Sequence, residues 1–540
     1  MKHPGGIGSE AFAKALQEFA DVVGAQWLFA REEDLALYED SYTPFVGERD
    51  LQLLPSAAVA PANVEEVQQI VRIANAYKIP LHAISTGRNL GYGGSAPTYS
   101  GSVVVDLKRM NRILEVSETE AYVLLEPGVS FMDLYRYFED HHLPFMVATP
   151  APGWGSPIGN ALEHGTSLVA GDNFAMACGL EVVLANGEIL RTGMGASATA
   201  RLWQNYGYGF GPSLDGIFSQ SNFGIVTKMG FWLVRKPEVI TFFTVSSFKS
   251  DDLHALVDIA QMLRHQGLTH STFATSPIRA ANNGMEDGPA EDISEVRALI
   301  TRRDGGAPSD WEKLGKEKNI AVSSVAAQVR GPARVVEAIL DHAKDAFSKV
   351  HGASFRRGPV FRFPLDRGKL NPDELSFLGL PNLWAFSRLA VQGTSRGHYF
   401  FSPMMKATAA DLFAFNETIR EVLFDSGDAE MIERVGWRGG DGFYPKAFMV
   451  LIEFLITDDV VLNRKRRELF KNLVRACGAK GWCEYRTPSA FQDLVASQYS
   501  FNDHVLRRFH ETIKDAIDPN GILAPGKAGI WPKDLRKNRP

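Results

Sequence analysis

Four glycines fall within the ten residues 85–94, STGRNLGYGG, directly after the strand-like segment PLHAIS. Backbone this free of side chains turns sharply, and its exposed N–H groups can approach an anion closely. GWGSPIGNA (153–161), SQSNFGIVTK (219–228) and APGKAG (524–529) have the same character. Taken singly, each reads as an ordinary turn. If they serve one pyrophosphate pocket, it is not of the Rossmann or P-loop kind, because neither G-x-G-x-x-G between a strand and a helix nor Walker A occurs. The first loop also carries a phenol, Tyr92, between two of its glycines. A phosphate cradle alone does not need one.

At 540 residues the chain exceeds one ordinary core, so two or three domains are expected. In NVEEVQQIVRIANAY (63–77), Asn63 and Glu66 have capping-box spacing, and Val67, Ile70, Val71 and Ala74 form an apolar helical stripe. GSVVVDL (101–107) and AYVLLEPG (121–128) read as strands, and SFMDLYRYFEDHH as a short helix. LEVVLANGEILRTG (180–193) reads as a hairpin, with Asn186-Gly187 suited to a type I′ turn. This block runs to Lys236-Pro237. A separate α+β pattern follows, from TFFTVSSF through the helix SDDLHALVDIAQMLRHQ to the strand KAFMVLIEFLI.

Several classes are disfavoured. With 45% hydrophobic and 22% charged residues the chain reads as globular, and a net charge of −6 offers no footprint for nucleic acid. No apolar run reaches the length of a membrane span, and MKHPGGIGSEAFAKALQEF lacks the apolar core of a signal peptide, which points to the cytoplasm. Cys178, Cys477 and Cys483 have no metal-type spacing and form no disulfide framework; Cys178 reads as a small buried residue.

The order of motifs carries more. GRNLGYGG, GSVVVDL, GWGSPIGNAL, LEVVLANGEILRTGMGA, YGFGP, FSQSNFGIVTK, HYFFSP, GWCEYRT and DPNGILAPGKAGIWP follow one another along the chain. In this it resembles the vanillyl-alcohol oxidase/p-cresol methylhydroxylase family of flavoproteins, specifically the branch that oxidises 4-alkylphenols. The resemblance implies an α+β, two-domain FAD-binding fold with an antiparallel-sheet cap. Residues 1–237 would begin the FAD domain, 238–480 form the cap, and 481–540 complete the FAD domain. FAD would lie along Thr86, Gly87, Arg88, Asn89, Gly91 and Gly94, with Ser156, Asn160, Ile225 and Lys527 nearby. In family oxidases a histidine at the position of His398, in HYFFSP, bonds to the flavin, and neutral imidazole can add to an electrophilic methylene. Tyr399 is the alternative, because some relatives link through tyrosine.

The resemblance also accounts for the tyrosine in the glycine loop. Tyr92 would join Tyr485 and Arg486 of GWCEYRT in binding the oxygen of a small phenolic substrate. Two O–H donors and a guanidinium favour phenolate over phenol. Electron release from the para oxygen then weakens the benzylic C–H bond, so that hydride can leave to the flavin and a p-quinone methide remain. Alcohol, aldehyde or ketone, and alkene products follow from different substituents. Oxygen or an electron-accepting protein would reoxidise the flavin, and the family points to a homodimer or higher homo-oligomer. One position departs from the pattern: many relatives have an acid two residues before GWGS, where this chain has Ala151. Glu433 is the expected replacement as base, with Glu430 or Asp441 as alternatives, and the freed volume would admit longer, lignin-derived side chains. Two other readings remain, a flavin-dependent 2-hydroxy-acid dehydrogenase and a flavin binder without catalysis.

Overall fold

The computed structural model describes residues 3–150, 152–275, 306–372, 374–383, 396–426, 436–442 and 444–539, with isolated positions between 295 and 304. Ala151, Glu430 and Glu433 lie outside them, and of Asp441 only the backbone is described.

Two small sheets form the first unit. One orders Leu28–Phe29, Ala57–Val59, Val103–Asp106 and Leu81–Ile84, the last three mutually parallel. Helix Val64–Tyr77 begins at Asn63, whose side chain accepts the Glu66 N–H at 2.9 Å. It buries Val67, Ile70, Val71 and Ala74 completely against this sheet. Each large apolar side chain so buried stabilises by roughly 1.5–3 kcal/mol before chain entropy is counted. The tail of the chain returns to this sheet. The Leu81 N–H donates to the Ile522 carbonyl at 2.6 Å, its own carbonyl accepts from Ala524 N–H at 2.7 Å, and Ile522 and Leu523 enter the same core.

The second sheet is antiparallel, in the order Ile189–Arg191, Ala177–Val183, Ile225–Trp232, Tyr122–Leu125 and Ile113–Ser117. Helix Phe131–Asp140 covers it, started by a Ser130/Asp133 capping box and packing Phe131, Leu134 and Phe138 inward. The hairpin at 180–193 forms, but its turn is not type I′. Only Gly187 has a positive φ, +81°, and its N–H donates to the Leu184 carbonyl at 2.8 Å. Asn186 keeps an ordinary backbone because the glycine after it absorbs the left-handed step.

The cap is one antiparallel sheet ordered Ser354–Arg357, Val239–Ser247, Ser323–Gly331, Thr272–Thr275, Gly436–Gly442, Ala447–Ile456 and Gly397–Phe401, with two short strands beside it. Its two faces differ, as the period of two dictates. Phe448, Val450, Ile452, Phe454 and Ile456 face helices Asp252–His265, Ala333–Phe347, Ala409–Asp425 and Val460–Ala479, forming the largest apolar core. Met449, Leu451 and Glu453 face the other way. Phe491 and Val495, from the segment after the cap helices, also pack into that core. Among the described residues, no helix is long and apolar enough to cross a membrane.

Candidate functional site

A cavity of about 770 Å³ separates the helix-free face of the cap from the glycine loops of the first unit. Thr86, Gly87, Arg88, Asn89 and Gly94 line it, together with Ser156, Asn160, Ile225 and Lys527. Gly87 needs its lack of a side chain: its φ is +66°, and a Cβ would sit 2.3 Å from Ser95 Oγ, which donates to the Gly87 carbonyl at 3.1 Å. Ser156 and Asn160 are spoken for within the wall. Ser156 Oγ donates to the Pro127 carbonyl at 2.7 Å, and Asn160 Oδ1 accepts from Asn173 at 2.7 Å, so these side chains hold loops in shape. Gly91 does not line the cavity. It packs beneath it, against the Phe400 ring and the His398 carbonyl.

Lys527 is no solvated loop lysine. It forms an ion pair with Glu163 in the cavity wall. Burial works against the charge on Glu163, but Lys527 and Arg486 outweigh it and hold the carboxyl below its usual range. His82, also in the wall, is pushed down to about 3 by burial and by the Lys527 charge, and its buried Nδ1 has no protein partner. A neutral imidazole, a cation and backbone amides around small residues fit a bound dinucleotide.

At the cap end, strand Gly397–Phe401 shows the same alternation. His398 and Phe400 face the cavity, while Tyr399 and Phe401 enter the cap core. Tyr399 stacks on Phe454 at 5.2 Å and lies among Phe470 and Phe491, so it cannot serve the cavity. The His398 ring is buried, 5.2 Å from Tyr42 and 4.4 Å from Phe400.

Tyr92, Tyr485 and Arg486 come together beside it. The guanidinium carbon of Arg486 lies 4.0 Å over the Tyr92 ring, and Arg486 also bonds the Asn89 side chain. Tyr92 Oη is 3.0 Å from Ser402 Oγ. Burial raises both phenols above their ordinary range, against the opposing charge of Arg486, so they remain neutral donors. Arg486 Nε is buried without a protein partner. Such a cluster accepts an anionic oxygen and disfavours a cation. Behind it, Glu484 accepts the Ser402 N–H at 2.8 Å, and burial raises its carboxyl to about 8.

Thus every expected site residue whose side chain is described lines the cavity except Gly91 and the alternative link Tyr399. Sequence reasoning passed over His82, Glu163, Ser402, Glu453 and Glu484. Glu163 adjoins GWGSPIGNAL, and Ser402 and Glu484 lie within HYFFSP and GWCEYRT, but no local pattern marks His82 or Glu453.

Comparison with known proteins adds independent findings. A family model described as an FAD binding domain matches residues 55–193. The chain is 33% identical to the flavoprotein subunit of 4-cresol dehydrogenase (hydroxylating) from Pseudomonas putida, covering 98% of this chain and 97% of that one. It is 35% identical to 1'-carboxy-chondrochloren decarboxylase from Chondromyces crocatus, covering 97% of this chain and 99% of the relative. Among solved structures, the isoeugenol complex of 4-ethylphenol oxidase from Gulosibacter chungangensis superposes with a TM-score of 0.83 at 33% identity, over 99% of this chain and 100% of that one.

Proposed function

Because the chain belongs to the vanillyl-alcohol oxidase/p-cresol methylhydroxylase family of FAD-dependent oxidoreductases, we propose that it oxidises para-substituted phenols at the benzylic carbon. The observation that carries this reading is the convergence of Tyr92, Tyr485 and Arg486 at one end of the cavity. Two neutral phenols and a guanidinium bind the substrate oxygen as phenolate, and the low-dielectric surroundings strengthen each bond. FAD, when bound, supplies the hydride acceptor. Thr86, Gly87, Arg88, Asn89 and Gly94 with Ser156, Asn160, Ile225 and Lys527 would hold it, and His398 would tether it covalently, while Gly91 supports the strand behind. Phe400 and the cap-sheet side chains hold the aromatic ring. Loss of hydride leaves a p-quinone methide, which becomes alcohol, carbonyl compound or alkene according to the side chain. Oxygen or an electron-accepting protein closes the cycle, and the working form is a homo-oligomer.

The decarboxylase relative favours one second reading, in which a carboxylate on the side chain leaves as carbon dioxide. A single panel separates the two: 4-alkylphenols, 4-hydroxybenzyl alcohols and side-chain carboxylated phenols, scored for flavin bleaching without oxygen and for products. Bleaching by free phenols, with O-methyl ethers inert, is the expected result. Equal reaction of ethers and phenols would defeat the phenolate reading.

A further inference from the structure

Two stretches of chain far apart in sequence meet behind the phenol-oxygen cluster. Ser402 follows strand Gly397–Phe401, is fully buried, and donates its N–H to Glu484 Oε1 at 2.8 Å. Backbone pairing locks the stretches together: Pro403 bridges Glu484, Tyr485 N–H donates to the Ser402 carbonyl at 3.3 Å, and Met404 N–H donates to the Cys483 carbonyl at 3.0 Å. Ser402 Oγ then stands 3.0 Å from Tyr92 Oη. We propose that Glu484 is a positioning residue for the phenol-oxygen site, holding Ser402 so that its hydroxyl donates to Tyr92 and leaves the Tyr92 proton for the substrate oxygen. The role rests on the phenol-oxidising reading above.

The charge on Glu484 matters as much as its place. It precedes Tyr485 and Arg486 in the chain, and a carboxylate there would oppose an anionic oxygen in the cluster. Glu484 is 4% exposed, and burial raises its carboxyl to about 8 against the Ser402 N–H and the Thr487 hydroxyl, so at neutral pH it is an uncharged acid. The Arg486 charge is then left for the substrate. The titratable groups around Glu484 are Tyr92 from the glycine loop, Tyr485 and Cys483 beside it, Cys477 on helix Val460–Ala479, and Tyr499. Burial raises each above its ordinary value, the lowest of which is 9.0 for a thiol. Among these groups, only Glu484 therefore changes charge between neutral pH and about 9.

The test is binding of pentafluorophenol to the flavin-loaded protein, read by calorimetry from about pH 6.5 to about 9. This phenol is already ionised at neutral pH and has no benzylic hydrogen, so it binds without turnover. Wild-type affinity should fall roughly five- to ten-fold across the window, the scale of one unit of like-charge repulsion at a group titrating near 8. Glu484→Gln, which stays neutral and keeps an acceptor for Ser402, should bind like wild type at the lower end and stay flat. Glu484→Ala frees Ser402 and should weaken binding roughly three- to ten-fold at about pH 6.5, the worth of one hydrogen bond. In a Tyr92→Phe background, which has no hydroxyl to orient, the same alanine should change affinity less than about two-fold. Parallel pH profiles for wild type and Glu484→Gln overturn the proposal, and so does an alanine effect of the same size with and without the Tyr92 hydroxyl. Should Glu484→Ala fail to fold, the comparison of wild type with Glu484→Gln decides alone. If wild type does not bind the ionised phenol at any pH, the phenol-oxidising reading itself falls.

Discussion

The two ends of the cavity are built by different means. The first unit presents backbone: glycine turns around residues 86–94, with serine and asparagine side chains spent on bracing loops. The cap presents side chains from alternate positions of its strands, His398 and Phe400 on one and Met449, Leu451 and Glu453 on the next. A backbone cradle fails when atoms are added, as at Gly87, where a Cβ has no room. A side-chain wall fails when atoms are removed. The first end therefore leaves a compact sequence motif, and the second leaves residues scattered across distant strands.

The largest expected effect lies at the cap end. If His398 tethers the flavin, acid-precipitated wild-type protein stays yellow, and His398→Ala releases all of its flavin on precipitation. Ring packing against Tyr42 and Phe400 would not by itself hold flavin through denaturation. Complete release of flavin from the wild type would remove the tether and leave the histidine a packing residue.

Next in size is a pH effect at Glu484, behind the phenol cluster. Burial raises its carboxyl from 4.5 to about 8 in the folded chain. A raised acid is neutral in the folded protein over a range where the unfolded chain has already lost the proton. Its contribution to stability therefore falls as pH rises from about 4.5 to about 8 and is flat beyond. Glu484→Gln, neutral at every pH, keeps one acceptor for the Ser402 N–H and escapes that loss. Its melting temperature relative to wild type should climb across this window, reaching a few kcal/mol of relative stability at the upper end. A constant difference between pH 4.5 and 8 would mean that Glu484 is charged throughout.

Arg486→Ala comes third. Removing a charge-assisted hydrogen bond should weaken binding of a phenolic inhibitor by roughly 1.5–3 kcal/mol. The loss should be much smaller for the O-methyl ether, which brings no anionic oxygen to the cluster. Calorimetry of both ligands reads the difference, and equal losses would make Arg486 a packing residue over Tyr92.

The same contrast explains what the sequence disclosed. The strands and helices of the first unit, its glycine loops and the Tyr92/Tyr485/Arg486 set were legible because each is local or carried by a motif. The two faces of strand Ala447–Ile456 were not, since AFMVLIEFLI is apolar at nearly every position and gives no alternation to read. Glu453 looked like any charge in a strand until the register with Gly397–Phe401 set it opposite Phe400. Glu484 adjoins Tyr485 in GWCEYRT, yet only burial separates it from a surface acid. Asn186-Gly187 misled about turn type because the dipeptide suits two turns, and the pairing of Val183 with Ile189 leaves room for the longer one. The base expected at Glu433 falls outside the described residues, as does Ala151.

The smallest effect belongs to the seam between the two ends. Gly91 lies in the glycine loop but faces away from the cavity, with a φ of +81° and tight surroundings: a Cβ would stand 3.1 Å from the Phe400 ring and 3.2 Å from the His398 carbonyl. Alanine there takes a left-handed backbone, costing roughly 1–2 kcal/mol, and presses on the strand that carries His398. Loss on that scale leaves a fold that still binds flavin, unlike Gly87→Val, where the added atoms meet Ser95 inside the cradle. The two glycines thus separate cofactor binding from cofactor orientation. Gly91→Ala should melt a few degrees lower, retain flavin after gel filtration and incorporate it covalently more slowly than wild type, as read by acid-stable absorbance over time. If its covalent incorporation matches wild type while its melting point falls, the strand tolerates the pressure and the loop merely rests on it. If it loses flavin outright, the loop and the cap strand work as one cradle, and the division between a backbone end and a side-chain end is drawn in the wrong place.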